Sequence, residues 1–485
     1  MKKRFLYLRY YLKHLHHKFR AKRGGMYSIM HTKFLGKMPP SDEEANHLIK
    51  EIITSGKPFA LCRLGSAEFT LMQLFDEYQL FHHDRLHQSN MYTLFHKDMD
   101  EIARWVNLTK EDCRDVDIMA YFEDHPMEEY LIRSYCQNSR LIRLEQIETI
   151  LYDVPWTMAL EGKKVLLTGA TGLIGAAIAD LLIWYNKDRN VPVELYAAGR
   201  NEKQIEEKFE PYEKAAWFHI VPYEATGKIK FECPVNYIIH GAGIAYPKMF
   251  TQSPVETMRV ALYGTDQILK YGVEQKIQRM VFISSSEVYG KHAGENPLEE
   301  SEYGYIDLLN PRSSYSMGKR AAETMCISYA KEYDLHVTVA RPGHIYGPTA
   351  RREDNRVSSM FAYDAADGKN LIMKSNGTQI RSYCYALDCA SAILFLLLKG
   401  KKELAYNISN RNSIMSVKEL AEQLAKEAGV KVQLQIPKEE ERQAFNPMDN
   451  SSLNGEKLEL LGWQGLFGGE EGTAHTVRII REGRL

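Results

Sequence analysis

Tyr315 and Lys319 stand four residues apart, and a hydroxyl triplet, Ser284-Ser285-Ser286, precedes them by about 30 residues and runs into Glu287. A phenol, an ammonium and a hydroxyl in this order suit the oxidation of an alcohol. On a helix over 314–333 the tyrosine and lysine lie one turn apart on one face, which lets the ammonium sit beside the phenol. A free phenol titrates near ~10, and a fixed positive charge favours the phenolate, moving it toward the range in which a general base works at neutral pH. The same spacing also occurs on plain exposed helix faces. The neighbouring elements must therefore decide between the two.

The first such element is Val165-Leu166-Leu167-Thr168, an apolar run that gives way to Gly169-Ala170-Thr171-Gly172-Leu173-Ile174-Gly175 and then to the helix-like stretch 176–185. It reads as strand, tight turn and helix. Gly169, Gly172 and Gly175 allow a sharp turn, a close approach of a pyrophosphate and tight packing of helix on strand, with the helix N-terminus facing the phosphates. A dinucleotide site upstream of the tyrosine and lysine gives the alcohol oxidation a hydride acceptor.

With these pieces in order, residues 163 to about 480 resemble the extended short-chain dehydrogenase/reductases of the nucleotide-sugar epimerase, dehydratase and decarboxylase group. Further matching segments are His240-Gly241-Ala242-Gly243, Ser284–Gly290, Asn310–Arg320, Arg341–Pro348, Asn355–Phe361, Gly377–Tyr385 and Leu461-Gly462-Trp463. The resemblance implies an α/β fold. A Rossmann-type doubly wound parallel sheet is expected over 160–342, followed by a smaller, mainly substrate-binding region over 343–485, in a homodimer formed largely by helices. It implies NAD held by Gly169, Thr171, Gly172, Leu173, Ile174, Gly175, Ala242, Gly243, Tyr315 and Lys319. It also implies that Tyr315, with Ser285 and Lys319, takes the proton of a sugar C4 hydroxyl as hydride leaves, giving a 4-keto sugar.

The fate of the 4-keto sugar depends on positions 286 and 287. Dehydratases of this group carry an Asp-Glu pair there, and the aspartic acid protonates the departing C6 hydroxyl. Here the pair is Ser286-Glu287, and a serine is a poor general acid at neutral pH. Loss of carbon dioxide needs no such donor, because a C5 carboxylate next to a C4 ketone is a β-keto acid. The segments named above resemble UDP-glucuronate decarboxylases, which implies Glu287 as a catalytic group and Ser286, Arg356, Arg381 and His344 as substrate contacts. Glu287 and Arg381 are expected to face the substrate carboxylate together. A 4-epimerase and a 4,6-dehydratase are the competing activities. Two positions depart from the family pattern. His344 stands where many relatives have asparagine, and the second strand ends in Gly199-Arg200-Asn201 with no acid for the adenosine ribose. Arg200 is suited to a 2′-phosphate, so NADP stays open beside NAD.

The 485 residues exceed one typical domain, and 44% apolar content supports sizeable cores. A net charge of −1 gives no reason to expect nucleic acid. Seven scattered cysteines without a CxxC suggest neither zinc nor a disulfide framework and fit a cytoplasmic protein. The densest apolar stretch, 392–398, is too short to span a membrane and reads as a buried helix. Residues 1–25 carry nine lysines and arginines and no acid, with Phe5, Leu8, Leu12, Leu15 and Phe19 in one helical stripe. Such a helix is suited to rest on anionic lipid at the inner face of a membrane, or to dock on the protein itself. Residues 26–155 read as a separate small α/β domain. Its segment Cys62–Phe69 resembles the start of a bacterial polysaccharide glycosyltransferase family. Ser66 replaces one of that family's two carboxylates, which favours an inactive binding or assembly module over a bifunctional enzyme.

Overall fold

The strand β1 (Lys164–Thr168) is buried beyond its first residue, and so are the cores of β2 (Glu194–Gly199) and β4 (Tyr237–His240). Apolar runs of this kind need cover on both faces, as in a parallel sheet flanked by helices. The computed structural model describes residues 150–151 and 159–482, apart from 187–190, 210–214, 228, 230–233, 293, 295 and 436–447. The chain divides into two units, Met1–Glu145 and Gln146–Leu485, and all described residues belong to the second. The basic helix expected at 1–25 and nearly all of the domain expected at 26–155 lie outside the described residues.

The chain runs from β1 through α1 (Leu173–Asn186), β2, α2 (Glu202–Phe209), β3 (Phe218–Pro222), β4, α3 (Pro247–Gln252), α4 (Pro254–Glu274) and β5 (Arg279–Ile283). It continues through α5 (Ser314–Glu332), β6 (Val337–Pro342), β7 (His344–Tyr346), α6 (Val357–Ala366), β8 (Leu371–Met373), β9 (Ile380–Tyr385), α7 (Ala386–Lys399) and β10 (Ala405–Ile408). The last elements are β11 (Ile414–Ser416), α8 (Val417–Ala428), β12 (Val432–Leu434), β13 (Asn450–Ser451), α9 (Glu456–Leu461) and α10 (Gly469–Glu482).

Seven strands form one parallel sheet in the order β10-β6-β5-β4-β1-β2-β3. The chain direction across the sheet reverses between β1 and β4, which opens a crevice at their carboxyl ends where doubly wound sheets bind ligands. The Rossmann-type expectation holds. The expected boundary at 342/343, however, is crossed. The chain leaves the sheet after β6 and returns as α7 and β10, with Ala405–Ile408 paired to Val339–Pro342. The apolar helix α7, including the stretch read as a buried helix, is buried from Ala386 to Leu398. The smaller sheet pairs β9 with β7, β11 and β13, and so places residues after 408 beside the crevice. Helices α4 and α5 pack closely: a Cβ on Gly318 would lie 3.0 Å from the Ala261 Cβ. No helix among the described residues is long and apolar enough to cross a membrane.

Candidate active site

The turn after β1 is built for backbone rather than side chains. Gly169 has φ +76°, and a Cβ there would meet the Gly241 carbonyl at 2.9 Å; a Cβ on Gly175 would meet the Gly169 oxygen at 2.1 Å. Only glycine lets α1 close onto this turn and the turn close onto the one after β4. The first amides of α1 have no acceptor within the helix and point, with its positive end, into the crevice. Beneath them the buried Thr168 Oγ1 accepts from the amides of Gly241 (3.2 Å) and Ala242 (3.1 Å), leaving its proton for His240 Nδ1 at 2.7 Å. Burial and the nearby Lys319 charge push His240 down to about 3, so it stays neutral and serves as a brace. Thr171 lies on the first turn, Leu173 and Ile174 open α1, and Ala242 and Gly243 lie on the turn after β4. The site fits a dinucleotide: bare backbone, free helix amides and two apposed turns at the sheet's switch point.

The reaction end is assembled by β5 and α5. Ser285 follows β5 in extended conformation, and its Oγ accepts from the Glu287 amide at 3.2 Å, capping the one-turn 3₁₀ helix Ser286–Tyr289. Tyr315, in the first turn of α5, stacks on Phe250 of α3 at 4.2 Å and 7° and shares a hydrogen bond with the Ser285 side chain. The Lys319 ammonium donates to the Ile283 carbonyl at 2.7 Å and lies 4.8 Å over the Phe282 ring. The ammonium thus has a backbone partner on the floor of β5, one that helical spacing alone does not announce. The carbonyl at the end of β5 is buried and needs a donor, and the lysine supplies it.

Charges around the phenol come from elsewhere. Burial pushes Tyr315 up to about 12; the Ser285 hydrogen bond and the arginines 356 and 312 act in the opposite direction, and Glu287 adds to the rise. Burial likewise pushes Lys319 down to about 8, against the pull of Glu323 one turn along α5. Glu323 accepts from Arg341 Nε (3.0 Å) and Nη2 (2.6 Å) and from the Ser284 hydroxyl. Arg320 donates to the carbonyls of Val288 (2.6 Å), Tyr289 (3.1 Å) and Gly304 (2.9 Å). These contacts fix the segment 284–290 to α5, and with it the Ser285 hydroxyl to the phenol.

Glu287 is gripped by Arg312 through two bonds of 2.8 and 3.0 Å and accepts from Ser316 Oγ at 3.1 Å. Arg381 gives its donors to the backbone carbonyls of Ile380 (2.8 Å), Met448 (2.8 Å) and Asp449 (3.3 Å). The two residues expected to act together are thus each bonded to other partners, although Arg381 still feels the Glu287 charge. Arg356 pairs with the buried Asp354 and lies close enough to act on both Tyr315 and His344. Burial, then Arg381 and Arg356, push His344 down to about 3, and its Nδ1 is buried without a hydrogen-bond partner among the described residues, as are Arg312 Nε and Asn355 Oδ1. Ser286 is buried at the head of the 3₁₀ turn, and Arg200 is exposed at the far end of the crevice, after β2. Sequence reading missed Arg312, Ser316, Phe250 and Asp354. Arg312 and Ser316 lie inside the segment around Tyr315, and their proximity to Tyr315 was the available signal.

Residues 165–409 match the model of the NAD dependent epimerase/dehydratase family. The chain belongs to this family and is an enzyme of its class. It is 29% identical over 323 residues to UDP-glucuronic acid decarboxylase 1 of Xenopus tropicalis, covering 66% of this chain and 72% of that one. It is 30% identical over 302 residues to UDP-glucuronic acid decarboxylase 6 of Arabidopsis thaliana, covering 62% and 84%. Among solved structures, UDP-glucuronic acid 4-epimerase of Bacillus cereus, in complex with NAD and a fluorinated UDP-sugar, superposes with a TM-score of 0.56 at 19% identity, over 65% of this chain and 98% of that one. At that identity the likeness is one of fold.

Proposed function

We propose that the chain decarboxylates UDP-glucuronate to a UDP-pentose, UDP-xylose or its 4-keto form, through transient oxidation at C4 with NAD as cofactor. When bound, NAD supplies a two-electron acceptor that takes the C4 hydride and can return it. Tyr315, as phenolate, accepts the C4 hydroxyl proton, and Ser285, hydrogen-bonded to the phenol, orients that hydroxyl. The C5–carboxylate bond then breaks, its electron pair entering the C4 carbonyl and carbon dioxide departing; a proton adds at C5 to restore the 4-keto sugar. Lys319 holds the floor of β5 in place. Glu287, Arg356, Arg381 and His344 line the substrate side.

The observation that carries this reading is the Ser286-Glu287 pair in its setting. Ser286 offers no acid for a departing hydroxyl, and Glu287 is ion-paired with Arg312. Arg356 is paired with Asp354, whereas Arg381, among the described residues, is held by backbone carbonyls alone and keeps its positive charge, which suits a substrate that carries a carboxylate. Similarity to the decarboxylases of Xenopus and Arabidopsis supports it.

Incubation with UDP-glucuronate, followed by mass analysis, tests it. Carbon dioxide and a UDP-pentose are expected; UDP-galacturonate with no loss of mass would instead make the chain a 4-epimerase. Decarboxylation that survives Glu287→Ala within a few fold would remove Glu287 from the mechanism.

A further inference from the structure

We propose that Arg351 and Arg200 form a seat for an anionic group at the adenosine 2′ position, so that the chain takes the 2′-phosphorylated dinucleotide as well as NAD. The proposal rests on the dinucleotide reading above. It starts from the crossover that follows β7 and reaches back from the smaller sheet to the far end of the crevice. There the buried Thr349 Oγ1 donates to the carbonyl of Leu173, the first residue of α1, at 3.0 Å. Two residues on, Arg351 Nη2 donates to Thr171 Oγ1 in the glycine turn (2.9 Å) and to Gln204 Oε1 in the first turn of α2 (3.0 Å).

These are the two elements that flank the adenosine half of a dinucleotide in this type of fold, the turn after β1 and the residues after β2. The Arg351 guanidinium therefore spans the place where the ribose hydroxyls belong, and its Nη1 and Nε make no hydrogen bond among the described residues. Arg200 follows β2 directly, is exposed, and is likewise unbonded among the described residues. Asn201 is occupied in capping α2, its Oδ1 accepting from the Gln204 amide at 3.2 Å. An acid at the end of β2 would accept from a ribose diol and repel a phosphate; two guanidinium groups do the reverse. Glu202, in the first turn of α2, is exposed, and Lys203 is paired with Glu207 one turn further on.

The test is calorimetric titration of the full-length chain with NAD and with NADP at fixed ionic strength, for the unaltered protein and for Arg351→Ala and Arg351→Lys. The unaltered chain is expected to bind NADP within about threefold of NAD. Arg351→Ala is expected to weaken NADP by about tenfold or more, the loss of a charge-assisted contact, and NAD by less than about threefold, with Arg351→Lys in between. If NAD binds and NADP does not, the proposal fails while the NAD reading stands. If Arg351→Ala weakens both equally, the arginine is only a tether and the proposal fails. If neither nucleotide binds, the dinucleotide reading fails and takes this one with it.

Discussion

Replacing Arg312 with alanine removes two charge-assisted bonds to Glu287, at 2.8 and 3.0 Å, from a pair whose side chains are 10% and 17% exposed. Breaking a fully buried pair costs about 3–5 kcal/mol, mainly because the surviving charge is left without a partner. The residual exposure and the Ser316 hydrogen bond to Glu287 bring the cost here to about 2–3 kcal/mol. For a unit of this size that lowers the melting temperature by about 5 °C. A second effect reaches the chemistry. Arg312 is one of two cations that lower the Tyr315 phenol, and Glu287 raises it. Losing the cation while keeping the carboxylate moves the phenol further up. The base works only when deprotonated, so the rising limb of kcat/KM moves to higher pH. Each unit of that movement costs about tenfold in rate at neutral pH. The assays are thermal melts followed by circular dichroism and pH–rate profiles on UDP-glucuronate. Adding Glu287→Gln removes the stranded charge, so the double variant melts above Arg312→Ala alone. A limb that stays in place or moves down, or a double variant no more stable than the single one, would refute the reasoning.

Two further outcomes arise from neighbouring contacts. Burial holds Lys319 at about 8 and Glu323 opposes it, so the ammonium is present below that value and lost as pH rises through it. Glu323→Gln removes the opposing charge, and any falling alkaline limb tied to Lys319 moves to lower pH; an unmoved or raised limb in the same profile speaks against an electrostatic role for Glu323. Gly175→Ala drives a Cβ to 2.1 Å from the Gly169 oxygen, so α1 must back away from its turn. Overpacking of this severity costs about 2–4 kcal/mol, and NAD affinity falls about tenfold or more as the helix amides leave their place. Melting and NAD titration check both, and a variant that binds NAD like the unaltered chain would show that the turn tolerates the shift.

The parts of the fold legible from sequence were those whose signal is local. Gly169, Gly172 and Gly175 announce a turn by their spacing, with a side chain shut out at Gly169 and Gly175, and the apolar strand before them and helix after them complete the unit. Ser285 and Tyr315 were also legible, since each stands at a fixed place relative to a strand end or a helix start. The partners of these residues were not, because sheet register sets them over long separations. Lys319 meets the Ile283 carbonyl 36 positions back, and Arg351 meets Thr171 180 positions back. Helical spacing placed Lys319 on the face of Tyr315, yet it carried no information about the buried carbonyl waiting at the end of β5. The expected boundary at 342/343 was crossed for the same reason: nothing local in residues 386–408 says that they pack on α1 and pair with β6.

The same distinction explains where the chemistry is decided. Tyr315 is held by Phe250, Ser285 and the backbone of α5, a frame that suits oxidation of any correctly placed alcohol. The charges around this frame are delivered from separate elements: Glu287 from the 3₁₀ turn after β5, Arg312 from the turn before α5, Arg356 from the start of α6 and Arg381 from β9. Because Arg312 already neutralises Glu287, and carbonyls rather than carboxylates hold Arg381, the substrate side keeps positive charge for an incoming anion. A substrate with a neutral C6 hydroxymethyl group would leave that charge unanswered at its reacting end. A uronate would answer it, and on the proposed reaction would lose the answering group as carbon dioxide. The cations that would hold the acid would then have nothing to attract in the neutral pentose end, so the proposed reaction would weaken the grip on its own product.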